Sequence, residues 1–142
     1  MVGKEVERGK ESIKEMKIYR EKLLDYYKNP RCWGDIDEGK DVIKSEKMNV
    51  SCGDKVEVSL IVKDGVVEKA RFKGEGCAVC LGSASMLMEK LEGEKVTEVE
   101  DWDGRKVMRK LTGEIGEGRR KCQMLAWETL KDLIKNEKKE ER

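Results

Sequence analysis

A chain of 142 residues is long enough for one domain with a single buried core, and its 31 Lys and Arg against 30 Asp and Glu leave a net charge of only +1, too little field of one sign to recruit nucleic acid or an anionic membrane. No apolar run approaches the roughly 18 residues of a membrane span, and the first residues, Met1-Val2-Gly3-Lys4-Glu5-Val6-Glu7-Arg8, lack the apolar core of a signal peptide, so a cytoplasmic protein is expected, with neither nucleic acid nor membrane among its partners. In that compartment the five cysteines read as reduced thiols available for metal or redox chemistry, not as a disulfide framework.

In chain order, residues 1–11 are charged and aperiodic and read as a flexible lead-in. Ser12 stands three positions before Glu15, the spacing of a capping box, and Met16, Tyr19, Leu23, Tyr26 and Tyr27 fall on one face, which predicts a helix over about 13–28. Asn29-Pro30 ends it, because a residue before proline is pushed out of the helical region. Residues 29–45 read as a loop holding Cys32, a loop cysteine without chemistry, and Trp33. Met48, Val50 and Cys52 then alternate with polar residues, and Val56, Val58, Leu60 and Val62 do so more strongly, which fits strands buried on one face. Asp64-Gly65 is a two-residue turn of the type that needs positive φ at both positions, and it leads into a third strand from about Val66 to Lys73 with Ala70 and Phe72 inward. If Lys63 pairs with Val66, the register sets Cys52 directly across from Cys77.

Leu81, Ala84, Leu87, Met88 and Leu91 are spaced for a helix that ends near Gly93. Cys77 would sit at its N-terminus, where the positive end of the helix dipole stabilises a thiolate. The small residues Gly82, Ser83, Ala84 and Ser85 allow either close packing or room for a bound group. Residues 94–118 are charged and Gly-rich, with one or two short helices carrying Val96, Val99, Trp102, Val107, Met108 and Leu111. A last helix over about 120–136 buries Leu125, Ala126, Leu130, Leu133 and Ile134 before a charged, flexible tail over 136–142. Strands followed by helices predict an α+β fold, a three-stranded antiparallel sheet covered by helices, in one domain spanning 1–142.

Histidine is absent, so a metal site must be built from thiolates and carboxylates. Cys52, Asp54, Cys77 and Cys122 supply four such groups at the edges of separate elements. Zinc would take them tetrahedrally, and an iron–sulfur cluster would take the thiolates more readily than the carboxylate. Cys77-Ala78-Val79-Cys80 reads equally as a redox dithiol or half a zinc site, and each cysteine can serve as a small buried hydrophobe.

The stretches Asn29-Pro30-Arg31, Cys52-Gly53-Asp54, Ala70-Arg71-Phe72 running into Gly76-Cys77, Ala84-Ser85-Met86, and Lys121-Cys122 with Leu125-Ala126-Trp127 together resemble the IscU, SufU and NifU N-terminal group of iron–sulfur cluster assembly scaffolds, over roughly residues 13–135. The resemblance implies that Cys52, Asp54, Cys77 and Cys122 bind zinc or a nascent [2Fe-2S] cluster. It implies sulfur supply from a cysteine desulfurase, with Cys52 or Cys122 as persulfide acceptor, and delivery to apoproteins by a scaffold that is not itself a turnover enzyme. The alternative it carries is a SufU-like, zinc-dependent sulfurtransferase. Lys121 stands where the IscU branch has histidine, as in SufU, yet no SufU-type insertion separates Gly93 from Cys122. The Leu-Pro-Pro-Val-Lys segment by which IscU proteins engage an Hsp70-type chaperone is replaced by Glu117-Gly118-Arg119-Arg120-Lys121, so that partner is not implied. Cys32 and Cys80 stand where relatives usually lack cysteine, and the resemblance gives neither a role; Cys80 could be an added ligand.

Overall fold

The computed structural model describes residues 17–36 and 41–140. The lead-in over 1–11, the Ser12–Glu15 capping box and Met16 lie outside the described residues. Helix α1 runs over 17–28, with Leu23 buried, Tyr19 and Tyr26 half-buried, and Tyr27 39% exposed on the outer side. Its last turn closes with the Asn29 N–H on the Asp25 carbonyl at 2.8 Å, and Pro30 stops it.

Strands β1 (Val42–Asn49), β2 (Asp54–Lys63) and β3 (Val66–Glu75) form one antiparallel sheet in the order β1-β2-β3. Val56, Val58 and Leu60 of β2 and Val67, Ala70 and Phe72 of β3 supply its buried face. The expected turn is there: Asp64 has φ 53° and Gly65 φ 77°. The loop expected over 29–45 is corrected in its described residues, at 32–34 and from Val42 onward. Within it the Gly34 N–H bonds the Phe72 carbonyl at 2.8 Å and the Phe72 N–H bonds the Cys32 carbonyl at 2.9 Å, so 32–34 lies along the free edge of β3, and β1 already begins at Val42.

The parity expected for β1 is also corrected. Met48 is 54% and Val50 88% exposed, whereas Ile43, Ser45 and Lys47 face inward. Lys47 can do so because Asp132 and Glu128 meet its ammonium at 3.2 and 3.9 Å. The opposite face of the sheet is a solvated lattice of ion pairs, Lys73 and Lys44 on Asp35 and Lys55 on Glu46.

Helix α2 (Ala78–Leu91) crosses the buried face against β3, and α5 (Arg120–Glu140) lies against β1 and β2. Between them come α3 (Val96–Glu100), α4 (Gly104–Thr112) and a 3-10 turn at Glu117–Arg119. The last helix therefore runs past the expected end at 136. The small residues of α2 serve packing. A Cβ on Gly82 would come within 2.7 Å of Leu23 Cδ1 and 2.9 Å of the Leu23 carbonyl, so α1 crosses there, and Ser85 Oγ accepts from the Arg31 N–H at 2.8 Å.

Candidate metal centre

The site is assembled where the tip of the β1–β2 hairpin, the start of α2 and the start of α5 meet. Residues 50–53 turn the chain between Asn49 and Asp54, which pair across the hairpin. The Cys52 and Gly53 N–H groups both bond the Asn49 carbonyl, at 3.2 and 2.8 Å, a reversal that needs the left-handed φ of 75° at Gly53. Cys52 is exposed at this tip, and its sulfur accepts a hydrogen bond from Asn49 Nδ2 at 3.2 Å. Ser51 Oγ holds that amide in place by donating to Asn49 Oδ1 at 2.8 Å. Neither Asn49 nor Ser51 stood out in the sequence; Asn-Val-Ser-Cys-Gly is a turn signal, and what the turn residues orient was not in it.

Asp54, the first residue of β2, is only 4% exposed. Its Oδ1 accepts from the Cys77 N–H at 3.3 Å, and its Oδ2 is buried with no hydrogen-bond partner among the described residues. An unpartnered buried carboxylate oxygen costs on the order of 1–3 kcal/mol or more, and a cation is the partner that would satisfy it. Gly76 makes the seat for this carboxylate, because a Cβ there would stand 2.7 Å from Oδ1.

The register that brings β3 to Asp54 differs from the expected one. Lys63 pairs with Val66 and Val62 with Val67, but a bulge follows, and from Ile61 opposite Lys69 onward every partner moves by one, to Lys55 opposite Glu75. Continued one residue, this sets Gly76 against Asp54, so Cys77 meets Asp54 and does not face Cys52 directly. The cause is legible afterwards: Val67 and Ala70 are both fully buried at an odd spacing, which a pleated strand permits only with an extra residue between them.

Cys77 caps α2 with extended backbone, φ −75° and ψ 170°, and its side chain makes no cap hydrogen bond. Cys122 lies in the first turn of α5 and is 5% exposed. Burial drives its thiol well above the ordinary range, and the neighbouring Asp54 and Cys77 side chains push it the same way. The sulfurs of Cys52 and Cys122 and a carboxylate oxygen of Asp54 lie within 4.8 Å of one another. Of the four expected ligands the structure thus brings three into one group, with Cys77 alongside, against Cys122 and Asp54. Two soft thiols, a third beside them and an orphaned carboxylate oxygen suit zinc or iron.

The other two cysteines are outside this group. Cys80 is fully buried one turn into α2, its thiol pushed up to about 12 by burial, with the Asp54 charge adding. Cys32 lies at the far end of α2, 3.9 Å from Glu92 Oε1, and its thiol is raised by burial and then by the Glu92 charge.

Sequence comparison agrees with the site's ancestry. Residues 18–142 match the family model described as the NifU-like N terminal domain. The iron-sulfur cluster assembly scaffold protein IscU of Thermotoga maritima is 35% identical over 134 residues, covering 83% of this chain and 93% of that protein. The zinc-dependent sulfurtransferase SufU of Bacillus subtilis is also 35% identical, but over 79 residues, 56% of this chain and 52% of that one. Among solved structures, an N-terminal NifU-like protein from Brucella abortus superposes with a TM-score of 0.64 at 23% identity, covering 83% of this chain and 92% of its own, a likeness of fold. With its sheet, its helices and nearly its whole described length accounted for, the chain belongs to the NifU-like N-terminal domain family.

Proposed function

We propose that this protein is an iron–sulfur cluster assembly scaffold, whose cargo is a labile [2Fe-2S] cluster built on Cys52, Asp54, Cys77 and Cys122 and then passed to apoproteins. The observation that carries the reading is the convergence of two cysteine sulfurs and a 4% exposed carboxylate within 4.8 Å, one oxygen of that carboxylate having no hydrogen-bond partner among the described residues. An iron–sulfur cargo needs soft donors from a semi-open rim, and here one donor is exposed and the others recede into the fold.

Sulfur enters as a persulfide from a cysteine desulfurase. The exposed Cys52 thiolate attacks the outer sulfur of the donor's persulfide, a new S–S bond forms, the donor's S–S bond breaks, and its thiolate leaves. Cys52 is favoured as first acceptor because Cys122, at 5% exposed, lies beneath the rim. Reduction of that sulfane sulfur to sulfide takes two electrons from an external carrier, and iron joins it as substrate.

A second reading, a SufU-like sulfurtransferase in which zinc holds the site and one thiolate leaves it to accept sulfur, is favoured by the compactness of the group, which suits a single four-coordinate ion. One assay separates them. With a cysteine desulfurase, L-cysteine, ferrous iron and a reductant under anaerobic conditions, the scaffold reading expects a coloured protein that converts apoferredoxin to its holo form. Persulfide on Cys52 with zinc retained and no colour at any iron level would favour the second reading and defeat the first.

A further inference from the structure

We propose that Cys77 and Cys80 are a disulfide-forming pair that withdraws Cys77 from the metal centre when the chain is oxidised; the consequence, though not the bond, rests on the reading of Cys77 as a ligand. The Leu81 N–H bonds the Cys77 carbonyl at 3.0 Å, so one helical turn joins the two residues, Cys77 as the cap and Cys80 three positions on. Side chains on a helix lean towards its N-terminus, and cap and third residue are the two whose side chains meet in a capping box. Here the cap side chain makes no such bond, so the helix does not tie its sulfur, which turns by leaving the side of Cys122. Cys80 is held on that side: a Cβ on Gly76 would lie 3.3 Å from Cys80 Cβ.

Residues one turn apart have Cβ atoms about 5–6 Å apart, and a disulfide needs about 3.5–4.5 Å. Cys77 makes up the difference because it stands before the helix with extended φ and ψ, and a small rotation there disturbs no helical N–H. The sulfurs of Cys52 and Cys122 already lie within 4.8 Å of each other, but a bond between them would tie two separate elements together.

The oxidant is a peroxide. The Cys77 sulfur, half-exposed, attacks one oxygen of hydrogen peroxide as its proton passes to the other, the O–O bond breaks, and a sulfenic acid and water result. Cys80 sulfur then attacks the Cys77 sulfur, an S–S bond forms, the S–O bond breaks and water leaves. Two thiols have given up two electrons, and peroxide has become two waters. A dithiol reverses the bond. Without Cys80 the thiol beside the sulfenic acid is Cys122, on a separate helix, so the oxidised product is a cross-link between two elements or, where that does not form, the sulfinic acid.

The test uses the full chain, metal-free, treated with limiting hydrogen peroxide, alkylated and digested with trypsin. Cys77 and Cys80 share the peptide 74–90, while Cys52 and Cys122 fall in 48–55 and 122–131. The expected product is peptide 74–90 lighter by two hydrogens and free of alkyl groups, with zinc capacity lost on oxidation and recovered with a dithiol. In Cys80→Ala peptide 74–90 should appear cross-linked to 122–131 or as the sulfinic acid. In the native chain, two alkylated thiols in 74–90, or a cross-link of 122–131 to 74–90 or to 48–55 in its place, would overturn the inference. None of these readouts needs a cluster, so a chain that forms the bond but assembles no cluster sinks the scaffold reading alone. If Cys80→Ala does not fold, the peptide mass from the native chain still decides.

Discussion

Asp54 is the residue at which stability and function pull apart. Its carboxylate does not serve the 50–53 turn through its own backbone; Oδ1 reaches instead to the Cys77 N–H and Oδ2 is left unpartnered. A carboxylate is a harder ligand than a thiolate and holds a ferric–sulfide unit less firmly, which leaves an exchangeable corner for an incoming thiolate. Asp54→Ala in the cluster-loaded protein should therefore lengthen the cluster's lifetime several-fold and slow its transfer to apoferredoxin, followed by the decay of visible absorbance. Faster loss with unimpaired transfer would show that Asp54 acts otherwise. The thiols differ from it in sign: Cys52→Ser, Cys77→Ser and Cys122→Ser should each lower metal retention, and Cys32→Ser should not, as measured by metal analysis after gel filtration. Normal metal in all four variants would exclude a shared site.

At the scale of elements, the site depends on how β3 arrives. Gly76→Ala would force a methyl to 2.7 Å from Asp54 Oδ1, an overpacking that should cost roughly 1–3 kcal/mol in denaturant unfolding and reduce metal content. Deleting Glu68 tests the bulge between Ile61 and Val62: Val67 and Ala70 would then fall at an even spacing in an unbroken ladder, with Lys69 still opposite Ile61 and Gly76 still beside Asp54. The expected result is a metal content that is kept, read by metal analysis beside a urea titration, whereas loss of metal from a folded protein would mean the register alone does not seat Asp54. This is also where the sequence stopped being legible. The Asp64-Gly65 turn could be read because its φ values admit few residues, and Cys77 at a helix start because glycine, cysteine and an apolar 3.6-residue spacing follow one another. The bulge could not, since counting back from the turn assumes an unbroken ladder. The parity of β1 was hidden for another reason: its inward Lys47 is polar, and the acids that satisfy it, Asp132 and Glu128, come from a helix some eighty residues away. That Cys122 joins Cys52 and Asp54 is likewise a tertiary fact, supplied by the packing of α5 on β1 and β2.

For the whole molecule, the buried thiols tie stability to pH. Cys80 is held up to about 12 from an ordinary 9.0, and Cys122 is raised as well, so the folded metal-free protein prefers both thiols protonated. Their contribution is fully present below the unfolded value and is lost as pH rises from about 9 towards 12. Metal-free protein should unfold at lower urea across that window, while the metal-loaded form, with Cys122 already deprotonated, should depend on it less. Towards acid the order reverses, because thiolate ligands must lose protons to bind metal, and metal should leave as pH falls. The central claim, that the hairpin tip and the starts of α2 and α5 together hold an iron–sulfur cargo, is tested most directly by the visible spectrum and metal content of anaerobically purified protein before and after incubation with iron and sulfide. A scaffold should gain sulfide-to-iron and thiolate-to-iron charge-transfer bands with iron and acid-labile sulfide bound together, displacing any zinc; a colourless protein whose zinc resists exchange under every such condition would contradict it.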